Sequence, residues 1–288
     1  MSNILIFGST GFIGKSLVEK ISKKEKNVKI MIHTKKNKIK CKKFQGDILR
    51  TKSFENQIKD KDIIINTIGQ YDNSTINFIE INIKGGINLL ESCRKKENVR
   101  IILISSLNVY GENAQKPCKE TDNLKPQKMY GKIKLLTEQL YKIYSETYEL
   151  DITILRLGNV YGNGKKNGII SNLINSIKSK KLVTITHNGN QIRDYVHIDD
   201  AIEGILLAVK YPKKGFNIFN ISSGKKNTTN EIIKIIEKKF EKKLFVKINN
   251  KKPDEKCIIS NISKAKKSLK FKPKIGIEKG IAMLRNKQ

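Results

Sequence analysis

The opening stretch constrains the fold more than any other. Asn3-Ile4-Leu5-Ile6-Phe7 is a run of strand length, apolar from Ile4 on, that stops at Gly8 and passes through Ser9-Thr10-Gly11-Phe12-Ile13 to Gly14. Beyond it Leu17, Val18 and Ile21 recur at helical spacing. A strand, a glycine turn and a helix in that order form the layout of a dinucleotide-binding fingerprint. The glycines differ in what they allow. Gly8 permits the tight turn, Gly11 lets backbone approach a pyrophosphate, and Gly14 lets the helix pack against the sheet. The helix N-terminus adds N–H donors and a partial positive charge. Gly8, Thr10, Gly11, Phe12, Ile13 and Gly14 are therefore candidate cofactor-binding residues. The spacing, Gly-x-x-Gly-x-x-Gly, is one residue wider at the front than the commonest version, so the turn alone is weak evidence.

The rest of the first half repeats the alternation. Val28–Ile32, Ile63–Ile65, Ile101–Ile104 and Ile152–Leu155 read as strands, separated by amphipathic stretches at Lys15–Lys24, Asn82–Lys96 and Tyr130–Tyr148. Continuous rather than alternating apolar runs indicate strands covered on both faces, hence a parallel sheet. The expected fold class is α/β, a doubly wound parallel sheet of Rossmann type. After about residue 160 the rhythm breaks at Gly162-Asn163-Gly164-Lys165-Lys166-Asn167-Gly168, and one further strand is expected at Asn217–Ile221. The expected division is a dinucleotide-binding domain over 1–160, with about 190–221 returning to it, and a smaller, discontinuous C-terminal substrate-binding region over 161–189 and 222–288.

Composition narrows the class. At 288 residues the chain can bury a sizeable core. No apolar stretch approaches the ~18 residues that span a membrane, and no basic segment precedes the first strand, so a cytoplasmic protein without membrane contact is expected. The formal charge of +31 invites a nucleic-acid reading. The lysines, however, are spread along the whole chain, and arginine is rare, where nucleic-acid sites favour arginine and clustered aromatics. A solvated lysine surface explains the charge, and no specific nucleic-acid partner is expected. Cys41, Cys93, Cys118 and Cys257 share no metal-type spacing, and His33, His187 and His197 form no His-x-x-x-His pair. Free thiols and no metal are expected.

The chemistry lies further along. The strand Ile101–Ile104 ends in Ser105-Ser106, at the edge where ligands bind in such sheets. Tyr130 and Lys134 follow at i and i+4, on one face of a helix expected to begin near Gln127. An ammonium beside a phenol favours the phenolate and lowers the tyrosine pKa. A tyrosine so tuned exchanges a proton with a substrate hydroxyl or carbonyl, while a serine hydroxyl binds the same oxygen. Ser106, Tyr130 and Lys134 are the candidate catalytic residues, with Lys134 also a candidate cofactor contact. Tyr-x-x-x-Lys arises by accident in lysine-rich helices; its weight comes from joining the glycine turn and the strand-end serine.

With these residues in place the chain resembles the extended short-chain dehydrogenases/reductases, in particular the NAD-dependent epimerase/dehydratase group that modifies nucleotide sugars. The resemblance covers nearly the whole length: Gly8-x-x-Gly11-x-x-Gly14, Gly46-Asp47-Ile48, Asn82-Ile83-Lys84-Gly85, Ser105 to Gly111, Tyr130-Gly131-Lys132-Ile133-Lys134, Arg156 to Gly162, and Arg193 to Asp200. It implies that Asp47 and Ile48 contact adenine, that Asn159 and Arg193 hold the sugar nucleotide diphosphate, and that the chain forms a homodimer through the helices at Asn82–Lys96 and Tyr130–Tyr148. It also implies a phosphate contact near Lys251-Lys252-Pro253-Asp254, with lysine where the family carries arginine. For Asp199 and Asp200 a simpler role suffices: capping a helix expected near Ala201.

Departures from the pattern are informative. Similar dehydratases carry an acid after the catalytic serine or threonine; here Leu107 and Asn108 stand there, which argues against a 4,6-dehydratase. The Asn108 position also lacks the cysteine of the bifunctional epimerase/reductases. After Val28–Ile32, where an NAD enzyme places a carboxylate for the ribose hydroxyls, the chain reads His33-Thr34-Lys35-Lys36. The missing acid removes a group that would repel a 2′-phosphate, so His33 and Lys35 become candidate contacts and NADP(H) is favoured, with NAD(H) the other option. The leading expectation is a 4-keto-sugar nucleotide reductase that delivers hydride to C4. The alternative is a nucleotide-sugar 4-epimerase of the UDP-glucose type. A non-catalytic dinucleotide- or RNA-binding protein is a third class, disfavoured by the intact Ser106, Tyr130 and Lys134.

Overall fold

Short, wholly apolar runs fold as strands hidden on both faces, and they dominate one sheet. Its first six strands are β1 (Ile4–Phe7), β2 (Val28–Ile32), β3 (Lys42–Gln45), β4 (Ile63–Asn66), β5 (Arg100–Ser106) and β6 (Asp151–Leu157), of which β3 alone is largely exposed. A seventh strand, Phe216–Ile221, completes the order β3-β2-β1-β4-β5-β6 followed by 216–221. This is a computed structural model, and it describes residues 3–33, 41–69, 75–111, 116–249 and 257–285. The pairs β1–β2, β1–β4, β2–β3 and β4–β5 are parallel, with Ile4 opposite both Val28 and Ile63. The strand order reverses between β1 and β4, which creates the crevice where ligands bind in doubly wound sheets.

Every strand expected from the sequence is present. β3 is an addition, because Lys42-Lys43-Phe44-Gln45 carries no apolar pattern; it is an edge strand, where lysine discourages further pairing. The helices start differently from expectation. α1 spans Phe12–Ile21, beginning at the glycine turn itself. α2 (Thr75–Ile79) runs through one π-helical turn at Glu80–Lys84 into α3 (Gly85–Cys93), and α4 spans Met129–Tyr148. Among the described residues no helix is long and apolar enough to cross a membrane.

The chain divides into two compact units. The first comprises Met1–Ser106, Met129–Arg156 and Gly204–Phe219, and its core joins Leu5, Phe7, Ile64, Leu103 and Ile152 of the strands to Leu89, Leu90 and Tyr141 of the helices. The second comprises Leu107–Lys128, Leu157–Glu203 and Asn220–Gln288. This grouping differs from the one drawn on the sequence: the chain leaves the first unit directly after Ser106, and the returning segment begins at Gly204.

The second unit packs Leu173, Ile174 and Ile177 against Ile232, Ile236 and Ile281, on three amphipathic helices. Thr228 and Glu231 close a reciprocal capping box at the start of Thr229–Phe240. The pair Asp199 and Asp200 does not cap its helix, which already begins at Ile198. Instead the buried Asp200 carboxylate accepts the backbone N–H groups of Lys274 and Ile275, at 3.0 and 2.8 Å.

Candidate functional site

The glycine turn is sealed from beneath. Gly8 has φ +81°, and a Cβ there would come within 2.7 Å of Thr67 Oγ1 and 2.9 Å of the Ile68 amide. A Cβ on Gly14 would collide with the Gly8 carbonyl and stand 2.8 Å from the same hydroxyl. Thr67, at the end of β4, is held by donating to the Phe7 carbonyl at 2.8 Å. Gly11 behaves differently. Its N–H donates to Gly8 O at 3.1 Å, and a Cβ there would make only ordinary contact with Gly8 O at 3.4 Å. Gly11 caps α1 with no side-chain bond, and no acid occupies the first helical turn. Two glycines thus close the turn, and the third keeps bare backbone toward solvent beside exposed Thr10 and half-buried Phe12 and Ile13. The cradle suits a dinucleotide pyrophosphate: N–H groups at a helix start, no competing carboxylate and no obstructing side chain.

At the end of β2, His33 faces an acid that linear reading does not place there. Its Nε2 lies 3.6 Å from Asp47 Oδ2, which also has Arg50 Nε at 3.8 Å. Ile48 is buried beside it. Lys35 lies outside the described residues, as does the segment Lys251–Asp254.

The first unit brings Ser106 and Tyr130 together, with Lys134 one turn beyond Tyr130 on the same helix. Tyr130 shares a side-chain hydrogen bond with Ser106, and Phe78 from α2 stacks on its ring at 5.7 Å between centroids and 16° between planes. Burial pushes the Tyr130 phenol above its ordinary value, and the Ser106 hydrogen bond pulls it partly back. The sequence expectation that Lys134 depresses the Tyr130 pKa is therefore not met in this state. The reason is geometric. Lys134 runs inward, where Nζ donates to the Ile104 carbonyl at 3.3 Å and a Cβ on Gly69 would approach it to 2.5 Å. Its pKa is lowered to about 8 by burial, against the attraction of Glu138.

Beneath this set lies a charge cluster that sequence reading does not assign. Glu138, one turn beyond Lys134, accepts from the Arg156 guanidinium through Nε at 3.1 Å and Nη2 at 2.7 Å, and from the Ser105 hydroxyl. Arg156 is 1% exposed and Glu138 3%. The cluster ties the helix carrying Tyr130 and Lys134 to the strand position next to Ser106. Two signals could have found it: Glu138 continues the 130/134 spacing by four, and Arg156 falls directly between the apolar residues Leu155 and Leu157. Asn82 enters the sequence pattern only as part of a motif. It lies in the π turn, buried, with Nδ2 donating to the Phe78 carbonyl at 2.8 Å, in the kind of bulge that often marks functional sites.

Asn159 and Arg193 belong to the second unit. Asn159 opens the strand Asn159–Tyr161, paired in parallel with Tyr195–His197, and is exposed. Arg193 ends the strand Ile192–Arg193, and its Nη1 donates to the Ile192 carbonyl at 2.8 Å. All four cysteines are free thiols, and among the described residues no group of three His, Cys, Asp or Glu side chains could hold a metal.

A parallel sheet of this strand order defines a nicotinamide-dinucleotide enzyme of the short-chain dehydrogenase class when its first strand runs into a sealed glycine turn and its fifth ends at a serine bonded to a helical tyrosine. Within that class the chain belongs to the NAD dependent epimerase/dehydratase family, whose match spans residues 4–222. A putative UDP-glucose 4-epimerase of Methanocaldococcus jannaschii is 31% identical over 98% of this chain and 97% of that protein. Among solved structures, a variant of UDP-glucuronic acid 4-epimerase from Bacillus cereus, in complex with UDP-4-deoxy-4-fluoro-glucuronic acid and NAD, is similar with a TM-score of 0.89. It is 25% identical, with 98% of this chain and 97% of that one covered. UDP-glucose 4-epimerase from Thermotoga maritima, with UDP-glucose, gives 0.87 at 26% identity, covering 98% and 96%.

Proposed function

We propose that the chain is an NAD-dependent nucleotide-sugar 4-epimerase acting on a uridine diphosphate sugar. The observation that carries this choice is the full-length likeness to 4-epimerases, at 31% identity for the Methanocaldococcus protein. It replaces the 4-keto reductase expected from the sequence, which stood on the cofactor loop. That argument weakens with the structure, since Asp47 brings a carboxylate within 3.6 Å of His33 and a 2′-phosphate there would meet a negative charge. The similar Bacillus cereus protein is an NAD complex, which supports NAD over NADP.

Bound at the glycine turn, NAD would supply the acceptor and returning donor of the C4 hydride. The chain's own residues handle the proton. As C4 is oxidised, Tyr130 as phenolate takes the 4-hydroxyl proton, Ser106 donates to the same oxygen, and the keto intermediate results. When hydride returns to the opposite face, Tyr130 gives the proton back, so nothing is consumed. Because burial holds the phenol above its ordinary pKa, the phenolate needs a cation, and Lys134 would provide it by turning its Nζ from the Ile104 carbonyl toward Tyr130. Asn159 and Arg193 are the diphosphate contacts, a guanidinium fork being suited to phosphate oxygens. Apolar side chains exposed on α2, α3 and α4, among them Ile76, Ile87, Leu136 and Ile143, support a homodimer through these helices.

The test is incubation of the purified protein with UDP-glucose, UDP-glucuronate and their N-acetylated counterparts, without added reductant. Interconversion of C4 epimers at constant total cofactor is expected. Conversion only of a 4-keto sugar, with stoichiometric loss of absorbance at about 340 nm from added NADPH, would instead establish the reductase. Tyr130→Phe should lower turnover by about 10²- to 10⁴-fold.

A further inference from the structure

Asp194 sits next to Arg193, and among the described residues no cation pairs with its carboxylate. It is 1% exposed, and that carboxylate collects five donors. Oδ1 accepts Ser223 N–H at 3.1 Å, Ser223 Oγ at 2.7 Å and Gly224 N–H at 3.1 Å. Oδ2 accepts Ser260 N–H at 3.1 Å, Ser260 Oγ at 2.7 Å and a share of the Gly224 N–H at 3.1 Å. Its backbone carbonyl accepts the Asn159 N–H at 2.9 Å. Gly158 has no room for a side chain at this crossing: a Cβ would lie 2.9 Å from the Asp194 carbonyl and would strike Ser222 Oγ.

One residue therefore fixes two strands. Its carbonyl sets where Asn159 begins its strand, and its position along the chain sets where the Arg193 side chain departs. The carboxylate anchors both to the Ser223–Gly224 turn and to Ser260, which follows a strand paired with Ile192–Arg193. A carboxylate suits this place because it accepts on every side; an amide would turn a donor toward one of the backbone N–H groups. A buried charge satisfied only by hydroxyls and amides is demanding to build, and it stands beside the two candidate diphosphate contacts.

We infer that Asp194 is a positioning residue that sets Asn159 and Arg193 for the diphosphate of the nucleotide sugar. The inference rests on the nucleotide-sugar reading above. Its test separates nucleotide binding from cofactor binding. UDP and dTDP are titrated calorimetrically into wild type and Asp194→Asn, and NAD is titrated into the same preparations. The expected result is a nucleoside diphosphate Kd raised at least ~10-fold in the variant, the loss of about one well-placed charge-assisted contact, with the NAD Kd unchanged within about twofold. Ser223→Ala with Ser260→Ala, which keeps the three backbone donors, should give an intermediate loss, and this double variant carries the test if Asp194→Asn does not fold. A diphosphate Kd unchanged in whichever variant folds overturns the inference, as does an equal fall in diphosphate and NAD affinity, the signature of general loosening. Wild type that binds neither UDP nor dTDP overturns the nucleotide-sugar reading, and the inference with it.

Discussion

Lys134 should destabilise the protein it serves. The side chain is 3% exposed, and burial lowers its pKa from 10.5 to about 8. That fall corresponds to roughly 3 kcal/mol of unfavourable free energy when the lysine is charged in both folded and unfolded chains. Below pH 8 the whole penalty is present. Between pH 8 and 10.5 the folded chain releases its proton first, and the penalty fades. Lys134→Met keeps the aliphatic stem and removes the charge. It also removes the bond to the Ile104 carbonyl, a loss of about 1 kcal/mol. In urea unfolding of cofactor-free protein at pH 7, the variant should be more stable than wild type by about 2 kcal/mol. By about pH 11 the order should reverse, with the variant about 1 kcal/mol less stable. The proposed epimerase turnover should be lost at both pH values. A variant less stable at pH 7, or a difference that does not move with pH, would refute the burial argument.

Glu138→Gln leaves the Arg156 guanidinium buried without its counter-ion, and thermal or urea melting should show a loss of about 3–5 kcal/mol; a loss below about 1 kcal/mol would mean that the pair is not isolated from water. Gly14→Ala drives a methyl into the Gly8 carbonyl, and NAD affinity by calorimetry should fall at least about 10-fold as the turn shifts, with a stability loss of about 1–3 kcal/mol; unchanged NAD affinity would remove the turn from the cofactor site. Leu136→Glu places a charge on the apolar face of α4, where Leu136 is 51% and Ile143 57% exposed. Light scattering should then show a monomer in place of the proposed dimer, and a wild type already monomeric would refute that interface.

How much of this is legible without coordinates depends on the range of each interaction. The apolar runs at Ile4–Phe7, Ile63–Ile65 and Ile101–Ile104 announce buried parallel strands because burial on both faces requires apolar side chains on both. Gly8 and Gly14 are legible because a turn and a close packing leave no alternative residue. β3 is not, since an exposed edge strand imposes no apolar pattern. The expected depression of the Tyr130 pKa by Lys134 is not seen for a related reason: spacing by four puts the lysine on the face of Tyr130, but the direction of a flexible side chain follows its neighbours, here Ile104 and Gly69. Asp199 and Asp200 look like caps, and the acceptor role of Asp200 depends on backbone more than 70 residues away.

The sequence by itself determined the class: the alternation of strands and helices, the glycine turn, and the serine, tyrosine and lysine that follow it, all features written in local spacing. Tertiary structure decided what those residues meet. It set the acid beside His33 through Asp47, the stack of Phe78 on Tyr130, the Glu138–Arg156 pair beneath Ser105, and the hydrogen bond from Asn159 to the Asp194 carbonyl. These are contacts between segments far apart in the chain, and their chemistry exists only once the strands have been ordered side by side.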